Sequence, residues 1–572
     1  LHQKANIYQE AATYASSKED EVAILEEGLR TIALLDELST QSLKKAHLLR
    51  DGQTKTLISQ REAPFQRGVE IALQHHAITH EVSSLEQSFY YAEKLKAQAL
   101  SLSWLKNEAM SFGRVKQSVI KKEYDLLGDI VRFEKLIEEA HSRHDTFEAV
   151  RLEYDLLFCK KKEYAAFQRD LEEQYPEYHE SKYAFIPERT SNLQQILQPK
   201  ELLINYVFVD SQLLIYTLSQ DSALTLTQSP LPPALNEQLG EIHQMLKNSS
   251  MNRRKSRTDF IELANDLYQQ LLAPIEHHLQ GKSKLVIIGD GMTNFLPFEV
   301  LLPSADIRAF HQLDFLVKSY DISYHYSATL LAKARRKHID QKKGIFAFAP
   351  VYNQQNNAAS SEVAEGTIES LGNSRIGQFP GILAPLPESQ HEVINIIKMF
   401  AAQGQGRSAL ALRNSANESI LKRHLRDDYK FVHIAGHSFA NLLNPNLSGI
   451  ACYEDHFDNE DGILHSGEIY HLDINADLVT LSSCESGYGK LEKNEGILGL
   501  NHAFISAGTP NVVFSLWKVY DKVSAKLMVD FYQEVLEDKN YTASLRQAKL
   551  NLLKDPSTAA PHYWSPYLLI GR

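Results

Sequence analysis

The feature that most constrains the fold is a series of continuous apolar runs, each ending in glycine or polar residues. They are KLVIIGDG (284–291), GIFAFAP (344–350), KFVHIAGH (430–437), ADLVTLSSC (476–484) and NVVFSLW (511–517). Such runs are typical of parallel strands that are buried on both faces. Helical segments lie between most of them, and one is AKLMVDFYQEVLED (525–538), whose apolar residues share a face. This alternation predicts an α/β sandwich with a mostly parallel sheet.

An antiparallel hairpin comes before these runs. The segments ELLINYVFVD and QLLIYTLSQD (201–221) read as two strands, and Asp210 and Ser211 between them predict a tight turn. The polar, small-residue-rich stretch 352–380 reads as a long connection, and the basic stretch 248–258 reads as an exposed loop. We therefore divide the α/β part into two halves, 186–375 and 376–572.

Residues 1–185 form a different region, which is poor in glycine and proline. Apolar residues recur at helical spacing in VIKKEYDLLGDIVRFEKLIEEA (119–140) and in QSFYYAEKLKAQALSLSW (87–104). Helices joined by short polar segments predict either an α-solenoid or an irregular bundle. The stretch QYPEYHESKY (174–183) marks the end of this region.

Composition narrows the class of protein. A length of 572 residues predicts three or four domain-sized units at about 150 residues each. The net charge of −12, from 60 basic and 72 acidic residues, argues against a general nucleic-acid binder. The sequence holds only Cys159, Cys452 and Cys484, which fits a reducing compartment, so we expect a cytoplasmic protein. The sequence contains no run of about 18 apolar residues, so we predict no membrane span. The chain opens without methionine, which we interpret as a fragment.

Two of the predicted strands end in residues that are chemically reactive. His437 ends one strand, and Cys484 ends another 47 residues later. Caspase-like enzymes have this order, with the histidine about 50 residues before the nucleophile. Only a few per cent of an ordinary thiol is ionised at neutral pH, so a cysteine nucleophile needs a neighbouring imidazole as base and proton donor. The pair predicts a cysteine hydrolase, whereas Cys484 alone would equally fit a structural thiol.

Other chemistries find little support in the sequence. There is no CxxC motif, and no compact ligand spacing occurs among His433, the later histidines and Cys452, so we expect no metal site. The acidic stretch 453–462 has Phe457 where a calcium loop needs its first aspartate. There is no GxxxxGK[ST] or GxSxG motif, and GDG at 289–291 is not GxGxxG. We expect no cofactor.

Several motifs in order resemble the CHAT proteases, which are clan CD cysteine peptidases related to caspases and separase. They are DFIELANDLYQQLLAPIEHHL (259–279), VIIGDGMTNFLPFEVLL (286–302), FVHIAGHS (431–438), GILHSGEIYHLDINADLVTLSSCESGYG (462–489), EGILGLNHAFISAGTPNVVFSLWKVYD (495–521) and WSPYLLIG (564–571). Gly289 stands where the family has proline. Family members often follow tetratricopeptide (TPR) repeats, and FYYAEKLKAQAL is the TPR-like stretch here.

The resemblance implies a role for four residues. His437 matches the general acid/base and Cys484 matches the nucleophile. The oxyanion hole would use the backbone N–H groups of Ser438 and Cys484, although the family has glycine at the position of Ser438. Asp521 matches an acid in the primary specificity pocket, which would select Arg or Lys before the cut bond. From the residues alone, Asp521 equally fits a cap of the helix that begins near Val523.

The resulting prediction is a helical TPR-like region (1–185) followed by an inactive CHAT half (186–375) and a catalytic CHAT half (376–572). By the resemblance, the protein is a cysteine endopeptidase that cuts a partner protein in bacterial signalling or defence. A protein activator or regulator would dock on the helical region and gate the activity. The alternative is a non-catalytic helical-repeat scaffold with a degenerate protease domain, for which Ser438 is the direct support.

Overall fold

The computed structural model describes most of the chain. The described residues are 1–46, 62–98, 100–105, 115–175, 185–248, 254–337, 344–351, 386–453, 460–483, 486–487, 489–492, 495–518 and 520–572. The predicted connection 352–380 lies outside them. So do parts of the loop 248–258, the boundary 174–183 and the acidic stretch 453–462. Cys484 also lies outside the described residues.

The first part of the chain is helical, as the sequence predicts. Its helices are α1 (His2–Ala12), α2 (Lys18–Ala46), α3 (Glu62–Thr79), α4 (Val82–Leu95), α5 (Gln117–Ser142), α6 (Thr146–Arg151) and α7 (Phe158–Gln174), and α8 (Thr190–Ile196) follows them. A π-helical stretch, Leu152–Leu157, connects α6 to α7. In the described residues, no helix has the length and apolar character needed to cross a membrane.

The helix predicted over 87–104 is interrupted, which corrects that prediction. α4 ends at Leu95, and Ala97 has a φ of 46° in the left-handed region. The break lets the Lys96 side chain turn into the sheet, where its Nζ donates to Asn205 Oδ1 at 2.7 Å and to Gly289 O at 2.9 Å. Apolar spacing could not reveal this, because the break serves a buried polar contact.

Each of the apolar runs forms a strand, as predicted. The strands are β1 (Glu201–Val209), β2 (Gln212–Ser219), β3 (Ser222–Pro230), β4 (Lys284–Ile288), β5 (Asp321–His325), β6 (Gly344–Ala349), β7 (Arg407–Leu412), β8 (Phe431–Gly436), β9 (Ser438–Phe439), β10 (Gly449–Ala451), β11 (Ile463–His465), β12 (Leu478–Ser483), β13 (Lys490–Glu492), β14 (Gly496–Leu498), β15 (Asn511–Ser515) and β16 (Tyr567–Ile570). Val209 pairs with Gln212, so Asp210 and Ser211 form the predicted turn. Every residue of β6, β8 and β12 is buried, as parallel strands covered on both faces require.

In the described part of the chain, eleven strands form one sheet in the order β3-β2-β1-β4-β5-β16-β15-β12-β8-β6-β7. β16 pairs parallel with β5 but antiparallel with β15. The strand direction therefore reverses at this junction. The parallel strands of the two halves have their carboxyl ends at opposite edges of the sheet, and both His437 and Cys484 follow strands of the second half.

Helices cover both faces of the sheet. They are α9 (Leu235–Lys247), α10 (Arg254–Leu271), α11 (Ala328–Arg336), α12 (Pro387–Ala402), α13 (Glu418–Leu425), α14 (Leu500–Ser506), α15 (Asp521–Leu536) and α16 (Tyr541–Lys554). One core cluster joins α1–α4 to the sheet of the first half through residues such as Leu203 and Val207. A second cluster fills most of the opposite face and extends through the second half. The helical region thus packs directly on the sheet.

The proposed domain boundaries stay predictions, but strand pairing bears on one of them. β6 lies between β8 and β7, so it belongs to the second half although its residues precede 375. By pairing, the halves separate between His325 at the end of β5 and Gly344 at the start of β6. Sequence alone suggested the later position because 352–380 is the most polar stretch.

Candidate active site

The two strands that precede His437 and Cys484 are neighbours in the sheet. β8 and β12 pair in parallel, with Val432 opposite Val479 and Gly436 opposite Ser483. His437 is the residue after Gly436, and Cys484 is the residue after Ser483 in the sequence. The spacing of paired strands is about 4.8 Å. Two segments of chain therefore leave the sheet side by side at the edge where open α/β sheets bind their ligands.

His437 is half-buried, and its backbone is fixed on its far side by a small sheet. Its carbonyl oxygen accepts the Ala451 N–H at 2.9 Å. The next residues form β9, which pairs antiparallel with β10, and β10 pairs with β11. The position of the histidine is thus set by two sheets, with β8 entering from one and β9 leaving into the other.

Ser438 connects the two segments directly. Its Oγ donates to Ser483 Oγ at 3.0 Å, so the residue after His437 is bonded to the residue before Cys484. A side chain at position 438, where the family has glycine, is accommodated by this bond. The role of the Ser438 N–H in an oxyanion hole remains a prediction.

The chain after Cys484 is held by β15. Ser486 Oγ accepts the Ser515 N–H at 3.0 Å, and Gly487 N–H donates to Ser515 O at 2.8 Å. Ser515 Oγ donates in turn to Ser483 O at 2.6 Å. A Cβ atom at Gly487 would lie 1.9 Å from Phe514 Cδ2, so only glycine fits there. Both described flanks of the predicted nucleophile are therefore braced by one strand.

A buried polar layer lies four residues before the predicted pair on both strands. His433 Nε2 is 2.7 Å from Glu392 Oε1 of α12, with both side chains almost completely buried. Thr480, which is opposite His433, accepts a hydrogen bond from Tyr532 Oη at 2.9 Å. His433 is therefore packed and hydrogen-bonded within the core. Sequence reasoning missed Glu392, because helical periodicity gives its face but not its partner.

Asp521 is the first residue of α15, so this helix begins two residues earlier than the expected start near Val523. Its side chain caps another helix, since Oδ2 accepts the Glu388 N–H in the first turn of α12 at 2.9 Å. Partial burial raises the pKa of Asp521. The Glu388 N–H opposes this shift, and the carboxylates of Glu392 and Glu388 add to it. The carboxylate therefore stands at the start of α12 and α15, and its role in specificity remains a prediction.

The other two cysteines differ from each other in environment. Cys452 is buried, and this burial, followed by the nearby Glu418 carboxylate, raises the pKa of its thiol well above the usual value. Cys159 is exposed on α7. Neither lies at the carboxyl ends of β8 and β12, so these thiols serve as internal references for the reactivity of Cys484.

One group of carboxylates has the spacing of a metal site. Among the described residues, Glu418, Glu460 and Glu468 bring oxygens together. Lys422 Nζ lies 2.7, 2.8 and 2.6 Å from the carboxylates of these three residues. The ammonium group therefore lies within the cluster and offsets part of its negative charge.

A model of the CHAT domain family matches residues 262–572, which is more than half of the chain. The chain belongs to the CHAT domain family. The match includes β8 and β12 and the residues that follow them, so the sequence resemblance is confirmed over the candidate site.

The curated relatives are much longer proteins. Tetratricopeptide repeat protein 28 of Mus musculus is 21% identical over 344 residues, and that of Homo sapiens is 20% identical over 362 residues. These alignments cover 53% and 56% of this CHAT chain but only 13% and 14% of the relatives. The chain thus spans about one seventh of their length.

Two solved structures give distant matches. The separase–securin complex of Saccharomyces cerevisiae has a TM-score of 0.39 at 12% identity, covering 97% of this chain and 48% of that one. The Arg-specific cysteine proteinase gingipain R has a TM-score of 0.34 at 8% identity, covering 59% of this chain and 74% of that one.

Proposed function

We propose that this CHAT chain is a cysteine endopeptidase whose dyad is His437 and Cys484. The observation that supports it is the register of β8 and β12, in which Gly436 and Ser483 are opposite each other. In the sequence, the residue after each of these is the proposed base, His437, or the proposed nucleophile, Cys484. No cofactor is required for this chemistry.

In the proposed reaction, the His437 imidazole takes the thiol proton, and the Cys484 thiolate attacks the carbonyl carbon of the substrate peptide. The C–N bond breaks, and the imidazolium gives its proton to the leaving amine. Water then hydrolyses the thioester and restores the thiol. The N–H groups of Ser438 and Cys484 would stabilise the oxyanion.

The test is the alkylation rate of each cysteine against pH, measured by mass spectrometry. We expect Cys484 to react faster than Cys159 and Cys452 near neutral pH, and to slow by about tenfold or more in His437→Ala. Equal reactivity of Cys484 and the other thiols would contradict the dyad. It would favour the non-catalytic scaffold, which should also keep its function in Cys484→Ala.

The substrate is proposed to be a partner protein, and the setting to be bacterial signalling or defence. Both proposals rest on the resemblance to TPR-linked CHAT proteases. A reducing compartment such as the cytoplasm suits a nucleophile that must remain a free thiol. Recovery of a cut partner with active protein, and not with Cys484→Ala, would support this setting.

We also propose that a protein regulator docks on the helical region and gates the site. Support comes from an exposed apolar stripe that runs from α6 through the π-helical stretch to the start of α7. Its residues Phe147, Val150, Tyr154 and Phe158 are 80%, 53%, 66% and 56% exposed. The test uses three proteins as bait: the wild-type chain, Tyr154→Ser, and the control Ile7→Ser, which changes an exposed apolar residue of α1. A regulator must bind the control, fail to bind Tyr154→Ser and change Cys484 reactivity. Equal binding to all three proteins would contradict this site.

A further inference from the structure

Helix α5 of the helical region contacts the segment that follows His437. Lys135 Nζ donates to Asp461 Oδ2 at 2.5 Å. The Lys135 side chain is 19% exposed and that of Asp461 is 40% exposed, so the pair is partly withdrawn from water. The contact joins residues that are far apart in sequence, and no pattern in the sequence predicts it.

Close packing beside this ion pair strengthens the contact. Gly467, in the single-turn helix Ser466–Ile469, lies against Val131 of α5. A Cβ atom at position 467 would be 3.0 Å from Val131 Cγ2 and 3.1 Å from Asn446 O. The surface of α5 therefore fits this segment through an apolar contact as well as a charged one.

Asp461 is joined to His437 through a short series of hydrogen bonds. Its Oδ1 accepts the Ile463 N–H at 2.9 Å at the start of β11. Ile463 pairs with Ala451 of β10, and the Ala451 N–H donates to His437 O at 2.9 Å. The next residue, Ser438, pairs with Ile450 of the same strand. A displacement of β11 would thus move the backbone of His437, and with it the imidazole.

The charges around Asp461 support a carboxylate at this point. Burial acts to raise the pKa of Asp461, but the neighbouring His465 and Lys135 outweigh it and hold the pKa well below its usual range. His465 Nε2 is 3.8 Å from Asp461 Oδ2, and His465 Nδ1 is 3.1 Å from Leu447 O. The carboxylate is therefore shared between the helical region and the small sheet.

We propose that Lys135 and Asp461 are positioning residues for His437, so that docking of α5 is part of how the active site is assembled. This inference rests on the proposed function and specifies how the helical region acts on the site. Loss of the contact releases β11 and β10 and leaves His437 less well placed beside the thiol. The helical region then supports activity through α5, whatever else docks on it.

The experiment measures the alkylation of Cys484 against pH in the full chain. The variants are Lys135→Gln, Asp461→Asn and the double variant, and an asparagine can still accept the Ile463 N–H through its Oδ1. We expect each single variant to slow Cys484 on the order of tenfold, and the double variant to be no slower than either single variant, because both changes break the same contact. Two independent destabilising changes would instead slow Cys484 more together than singly.

Lys121→Gln is the matched control, because Lys121 is an exposed residue of the same helix. It should leave Cys484 unchanged. Lys135→Gln and Asp461→Asn keep most of the side-chain volume, and Lys135→Glu, which reverses the charge beside Asp461, should slow Cys484 at least as much as Lys135→Gln. A reactive wild-type Cys484 with unchanged single variants, or with additive losses in the double variant, overturns the inference and leaves the dyad standing. A wild-type Cys484 no more reactive than Cys159 and Cys452 overturns both.

Discussion

At the scale of single residues, Asp521 caps a helix other than the one that it begins. One oxygen caps α12 through the Glu388 N–H, and among the described residues the other oxygen has no hydrogen-bond partner. A carboxylate held this way can receive a cationic side chain without losing its structural bond. The sequence indicates an acid here by family resemblance, but which helix it caps depends on the packing of α12 against α15.

Asp521→Ala should lower cleavage after Arg or Lys by about a hundredfold or more relative to cleavage after Leu, because the buried partner of the basic side chain is lost. It should also lower the free energy of unfolding by about 1 kcal/mol through loss of the cap. Matched peptides that differ only before the cut bond measure the preference.

Asn417→Ala is the control for the cap alone, since Asn417 Oδ1 accepts the Ile420 N–H at the start of α13. It should cost similar stability and leave the preference unchanged. Equal loss of cleavage after Leu and Arg in Asp521→Ala would contradict the specificity role.

At the scale of elements, the sequence predicts strands and helices well where an apolar pattern extends over many residues. β8 and β12 are continuous apolar runs, and their bounds are enough to assign His437 and Cys484 to strand ends. Pairing partners are not encoded locally, so the adjacency of β8 and β12 comes only with the structure. The sequence also does not predict the break after α4 or the hydrogen bond between His433 and Glu392, because each is determined by a residue distant in the chain.

Gly487→Ala should lower both the melting temperature and the alkylation rate of Cys484. The new methyl group would overlap the ring of Phe514, which is a buried side chain of β15, so the loop must shift. We expect a loss of about 1–3 kcal/mol in the free energy of unfolding. Gly128→Ala in α5 is the control, because its new methyl group meets nothing within 4 Å. It should instead stabilise by up to about 1 kcal/mol. Equal effects of the two changes on Cys484 would contradict a close fit at Gly487.

At the scale of the whole molecule, the helical region contacts both halves of the α/β part. α1–α4 share a core with the first half, and α5 touches the segment after His437. Lys96 adds a fully buried charge to the first of these contacts. Composition predicts a separate helical region but not how deeply it is joined to the sheet, because Lys96 and Glu93 resemble ordinary surface residues in the sequence.

Lys96 should make stability depend on pH in the alkaline range. Burial lowers the pKa of Lys96 to about 8, although Asp290 and Glu93 oppose the shift. An unfolded lysine has a pKa of about 10.4. Between these values the unfolded chain binds the extra proton, so the Lys96 contribution to stability rises with pH, by up to about 3 kcal/mol in total.

The measurement is the difference in melting temperature between wild type and Lys96→Met from pH 7.5 to 10.5, which cancels all other titrating groups. We expect wild type to gain relative to the variant as pH rises through this range. Lys121→Met should track wild type at every pH. A difference between wild type and Lys96→Met that does not change with pH would contradict a lowered pKa.

The position of β16 has a consequence for biosynthesis. Among the described strands, β16 follows all the others in sequence, and it joins the two sets of strands through β5 on one side and β15 on the other. Because a ribosome releases the chain from its N-terminus, both sets are made before the strand that unites them. The continuous sheet therefore closes only after both sets of strands have been synthesised, and a nascent chain that stops before Tyr567 holds two half-sheets with unpaired inner edges.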